Sequence, residues 1–143
     1  MAPRGFNVQR LPDWPERLAV YLQQGRHKAF SYGVNDCATF AAGALAAMTG
    51  ASPAQWLPGR WDDEVQALDV LRHVGGLRGG SRLMLGRPTL GPAAALVGRG
   101  AVVCVRLPEA TLGVAAGNGC WCAPGAHGLV WRPMTEVRRA WEV

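Results

Sequence analysis

The sequence predicts an α+β domain, with helices first and an antiparallel sheet after them. Three observations carry this. Between Leu18 and Leu71 apolar residues recur at helical spacing or fill whole segments. In the last third the pattern changes to short apolar runs of strand length bounded by glycine and proline. Between two of those runs stands Asn118-Gly119, a two-residue signal for a tight hairpin. Helices followed by a meander is the α+β pattern. The 143 residues fit one domain spanning 1–143.

The elements follow in order. Asp13-Trp14-Pro15-Glu16 reads as a capping box with proline in the first turn. Leu18, Tyr21 and Leu22 give that helix its apolar face, and Gly25 ends it. A second helix runs from about Asp36 to Thr49 and stops at Gly50. It is apolar on nearly all sides, which predicts burial. Ser52 caps a short helical turn. A third helix starts at Asp62 or Asp63, with Val65, Leu68 and Leu71 as its buried face, and ends at Gly75-Gly76. Residues 76–100 hold seven glycines and read as a loop with one helical turn near Pro92–Val97. Strands follow at Ala101–Leu107, Thr111–Ala116, Gly119–Ala123 and Gly128–Arg132, with Ala140–Val143 as a terminal edge strand.

Composition narrows the function classes. Net charge is +5, carried by fourteen arginines and one lysine, Lys28. The arginines are scattered, which argues against nucleic acid as the partner. Only 17% of residues are charged, below the usual quarter, which points to surface covered by another protein. Six tryptophans, several beside arginines, suit such an interface. The longest apolar stretch, Ala41–Met48, is far too short to span a membrane, and Met1–Phe6 contains no leader-like apolar run. Four cysteines without disulfide-like spacing fit free thiols in a reducing cytoplasm.

The chemistry-bearing segment is Tyr32-Gly33-Val34-Asn35-Asp36-Cys37-Ala38. Asn35 or Asp36 caps the second helix and leaves Cys37 in its first turn. A thiol at a helix N-terminus is made more acidic by the local N–H groups. Cys37 is therefore the candidate nucleophile, against the plain alternative of a small buried hydrophobe. Asp36 beside it partly cancels the helix effect.

Asn35-Asp36-Cys37-Ala38 at a helix start, followed by a meander, resembles the NlpC-type cysteine peptidases, the papain-like fold of bacterial cell-wall hydrolases. Gly100-Ala101-Val102-Val103 is similar to that family's first strand, and Thr111–Gly119 to its second-strand hairpin. The layout also resembles small tail proteins of tailed bacteriophages. The shared marks are Tyr32–Cys37, Thr49-Gly50, Gly75-Gly76 and Arg139-Ala140-Trp141. The resemblance implies a papain-like NlpC-type fold, N-terminal helices on a C-terminal antiparallel sheet, with Cys37 at the nucleophile position.

The departures bear on activity. The family's general base falls on Thr111, which cannot take a proton from a thiol near neutral pH. The orienting third residue falls in Cys120-Trp121-Cys122-Ala123, and the first-strand acid is Ala101. His127, at a strand turn, is the candidate substitute base. His27 reads as an exposed loop residue, and His73 as a cation in the last turn of its helix.

The resemblance thus implies a tail-tip or baseplate component of a phage virion, made in the host cytoplasm, with a peptidase-like fold and no surviving catalysis. Its expected partners are other tail proteins, with peptidoglycan as a further one. The alternative is an active peptidase or amidase that cuts peptidoglycan during phage entry, using Cys37 and His127. A second alternative is a metal or iron–sulfur module ligated by Cys37, Cys104, Cys120 and Cys122. The spacing matches no ligand knuckle, so no cofactor and no metal are expected.

Overall fold

The computed structural model of the protein describes residues 9–106 and 109–143. Among the described residues, four α-helices are followed by a six-stranded antiparallel sheet. The helices are α1 (Trp14–Gly25), α2 (Cys37–Thr49), α3 (Glu64–His73) and α4 (Gly76–Leu85). The strands are β1 (Thr89–Leu90), β2 (Val102–Arg106), β3 (Ala110–Gly117), β4 (Cys120–Gly125), β5 (Gly128–Pro133) and β6 (Arg139–Trp141). They lie in the order β1-β6-β2-β3-β4-β5, every neighbour antiparallel.

Helix α2 is the centre of the helical layer. Phe40, Ala41, Ala42, Ala44, Leu45 and Met48 are all buried on it. Burying each large side chain is worth about 1.5–3 kcal/mol. Gly50, with φ 76°, ends the helix in the left-handed conformation. Gly43 lets α1 approach closely: a Cβ there would run into the Tyr21 hydroxyl. That hydroxyl donates to the Phe40 carbonyl at 2.8 Å.

Both faces of the inner strands β2, β3, β4 and β6 are buried, and strand alternation sorts their residues between the two. Val102, Cys104, Leu112, Val114, Cys122 and Trp141 pack with the helices. Val103, Val105, Ala115, Trp121, Ala123 and Ala140 face the other way. There they pack on Ala94, Met134 and Val137, from two short 3-10 turns and the loop after the second. The Asn118-Gly119 hairpin forms as expected, with both residues at positive φ, 55° and 73°.

The structure corrects four sequence expectations. Residues 76–85, read as loop, form α4. Its glycines hid the helical spacing of Leu77, Met84 and Leu85, which pack on the core. The C-terminal strand is interior, because the two-residue β1 pairs with its outer side. Asp13 makes no capping hydrogen bond; its carboxylate takes the Arg17 guanidinium at 2.8 Å instead. On α3, Val65 and Leu68 are 76% and 56% exposed and only Ala67 is buried, because this helix rims a cleft rather than covering the core. Met1–Phe6 and Leu107, read above, lie outside the described residues. Among the described residues no helix is long and apolar enough to cross a membrane.

Candidate functional site

The segment 31–37 is organised around Asp36. Ser31 and Asn35 pair across a tight turn, Asn35 N–H donating to the Ser31 carbonyl at 2.7 Å. The Asn35 side-chain amide donates to the carbonyls of Lys28 and Ala29 at 3.1 and 3.0 Å, tying the turn to the preceding loop. Gly33 has φ 79°, and a Cβ there would strike the Trp61 carbonyl. Glycine is therefore required at this position by conformation and by space.

Asp36 is 4% exposed. One carboxylate oxygen accepts from Thr39 N–H at 2.8 Å. The other accepts from Gly33 N–H at 2.8 Å and from the Trp61 indole N–H at 2.6 Å. The Thr39 hydroxyl returns the contact to the Asp36 N–H, completing a capping box. Asp36 thus starts α2, closes the 31–36 turn and anchors Trp61. Three donors thus commit its carboxylate to a structural role.

Cys37 is the first residue of α2 and stands against the Leu112 backbone of β3. It lines a cleft of about 300 Å³ together with Tyr32, Trp61, Leu68, Glu109 and Thr111. Cys37 and Thr111, the nucleophile and base positions of the resemblance, therefore share one cleft. Burial above all, with the Asp36 and Cys104 groups adding to it, pushes the Cys37 thiol up to about 11. The Leu112 and Ala38 N–H groups pull the other way without prevailing. Desolvation outweighs the helix N-terminus. The residue is half-buried as a whole, but at the sulfur burial is the larger effect.

Among the described residues no histidine lines this cleft. Thr111 is a hydroxyl that donates to the Glu109 carbonyl at 3.2 Å. His127 is exposed on the β4–β5 turn, and of that hairpin only Pro124 reaches the lining. The turn is held instead against the 26–30 loop: Leu129 N–H donates to the Arg26 carbonyl at 3.0 Å, and Phe30 N–H to the Gly125 carbonyl at 2.8 Å. His127 is not among the residues that line the cleft of Cys37. His27 is exposed, and the His73 ring nitrogen contacts the Asp69 carbonyl at 2.7 Å.

The other cysteines are free thiols. Cys104 and Cys122 are buried on the helix-facing side of the sheet. Burial raises both, Cys122 to about 12, so they sit as neutral packing groups. Among the described residues no three His, Cys, Asp or Glu side chains converge in a way that would hold a metal ion.

Trp61 is the site residue that sequence reading missed. Only its place in Gly59-Arg60-Trp61-Asp62-Asp63 marked it, and its partner Asp36 lies 25 positions earlier. Among curated proteins none matches the chain. Residues 9–143 match a family model described as Domain of unknown function (DUF6950), and the chain belongs to that family.

Proposed function

We propose that this chain is a non-catalytic assembly component built on a papain-like NlpC-type frame, of the kind that serves at the tail tip or baseplate of tailed phages. The observation that carries the reading is the pairing of Cys37 with Thr111 in a cleft that holds no histidine. Helix α2, with the cysteine at its start, packs on β3 as a papain-like nucleophile helix would. The partners of such a thiol are absent from this cleft. A cysteine nucleophile needs a base within hydrogen-bond reach, itself oriented by a third group. The two carboxylates near Cys37 cannot replace it. Asp36 is held by three donors as the cap and turn anchor of α2. A carboxylate is in general far too weak a base for a thiol held up to about 11.

Assembly also accounts for the exposed apolar rim of the cleft, where Leu68 is 56% and Phe30 37% exposed. Two measurements test the reading. Tails purified from particles produced by the encoding genome should contain the chain. Muropeptides incubated with the protein should remain uncut. Absence from the particles would remove the assembly role. Cleavage that disappears in Cys37→Ala would establish a peptidase in its place.

A further inference from the structure

A second cleft, of about 400 Å³, shares no lining residue with that of Cys37. Its charge is one-sided. Arg78 comes from α4, Arg106 from the end of β2, and Arg138 and Arg139 from the start of β6 and the residue before it. The one carboxylate in the wall, Glu136, is already taken: both its oxygens accept from Arg132 at 2.7 Å. Among the described residues the ion pairs use Arg17, Arg72 and Arg132, so none of the four cleft arginines has a carboxylate partner.

The arginines are also held in place. Arg139 is half-buried and sits directly across the ladder from Cys104. Arg138 is pinned through one nitrogen to the Thr135 and Val137 carbonyls at 2.7 and 2.9 Å. Arg78 and Arg139 both lie close enough to act electrostatically on the buried Cys104 thiol. Arg78 and Arg139 are thus brought together at Cys104, with Arg106 and Arg138 in the same wall, and like charges so placed repel one another. A polyanion seated there would relieve that repulsion, and guanidinium forks match carboxylates two bonds at a time.

The shape favours an extended occupant. Pairing of β2 with β6 ends at Cys104–Arg139, while β2 continues two residues to Arg106. The cleft is therefore floored by a strand end without a β6 partner. An extended chain can lie along such an edge. Four of the fourteen arginines meet in this one cleft instead of running in a stripe that would track a nucleic-acid backbone.

We infer that the cleft between α4 and the β2–β6 strand ends receives an extended acidic segment of a partner protein, its carboxylates held by Arg78, Arg106, Arg138 and Arg139. The inference does not depend on the state of Cys37. It also fails separately from the assembly reading, because peptide binding and presence in particles are independent measurements.

The test uses the full chain and a fluorescein-labelled oligoglutamate peptide, followed by anisotropy. A DNA oligonucleotide of matched length and charge is the competitor. The peptide should bind, its affinity should fall with added salt, and the DNA should displace it poorly. Arg78→Gln with Arg106→Gln, both at exposed positions, should weaken binding about tenfold. Arg17→Gln with Arg72→Gln, which removes the same charge elsewhere, should leave it unchanged. Amide shifts of the wild-type protein on peptide addition should centre on Arg78, Cys104, Arg106 and Arg139, which reads the site without relying on any variant. No peptide binding, tighter DNA binding, equal loss in both double variants, or shifts centred elsewhere would each overturn the assignment.

Discussion

Replacing Asp36 by alanine should be among the most damaging single changes near the cleft, and the structure sets its size. The carboxylate is 4% exposed and accepts three hydrogen bonds. Loss of the helix cap to Thr39 N–H removes about 1 kcal/mol. The Trp61 indole N–H, on a residue 7% exposed, loses its partner without gaining water. The Gly33 N–H, in a half-buried turn, loses part as much. Abandoned buried donors cost about 1–3 kcal/mol each, so Asp36→Ala should destabilise by about 3–5 kcal/mol in all. At about 2–4 °C per kcal/mol, that lowers Tm by roughly 10 °C. Asp36→Asn keeps one acceptor oxygen and must turn its NH2 toward one of the donors. It can serve the cap or the Trp61–Gly33 pair but not both, and should lose about 1–2 kcal/mol. Urea denaturation followed by tryptophan fluorescence and far-UV circular dichroism reads both variants. If Asp36→Ala stays within about 1 kcal/mol of wild type, or if alanine and asparagine are equivalent, the three-donor account of this residue is wrong.

Three further outcomes follow from the packing and the thiols. Gly43→Ala drives a methyl into the Tyr21 hydroxyl and breaks its bond to Phe40, and should destabilise by about 1–3 kcal/mol in the same denaturation assay. Asn118→Val forces a β-branched residue to φ 55° and should lose about 1–2 kcal/mol, which Asn118→Gly should not. Alkaline stability has a defined sign. The folded state holds Cys37 and Cys122 at about 11 and about 12, above the ordinary 9.0, so it binds protons that the unfolded chain has released. Stability from these thiols is complete below pH 9.0 and falls as pH rises through about 11 to about 12. A melting series across that range should show the fall, and Cys122→Ala should flatten its upper part.

The helices and strands that can be read from the sequence are those whose signals are local. Gly50, the Asn118-Gly119 turn and the unbroken apolar face of α2 each act within a few residues. Helix α4 was hidden because Gly76, Gly79 and Gly80 weaken helix propensity. A Cβ on Gly79 would strike the Val74 backbone carbonyl, so close packing selects glycine there. The spacing of Val65, Leu68 and Leu71 on α3 cannot tell a core-facing side from a cleft rim. At the site, Asp36 and Cys37 were legible as cap and first helical residue. The link from Asp36 to Trp61 was not, because a contact across 25 positions leaves no periodic trace. The four cleft arginines stand at 78, 106, 138 and 139, apart in sequence except for the last two, and only the sheet register brings them together.

The central claim is that Cys37 marks a helix start rather than a working nucleophile. The direct measurement is the pH profile of Cys37 alkylation by iodoacetamide, followed by mass spectrometry of the Cys37 peptide. A thiol held up to about 11 instead of 9.0 has a thiolate fraction about a hundredfold below the ordinary one near neutral pH. The account predicts modification slower than a free cysteine peptide at neutral pH, rising only in strongly alkaline solution. Rapid modification at mildly acidic pH, faster than the peptide, would contradict it and return Cys37 to the position of an activated nucleophile.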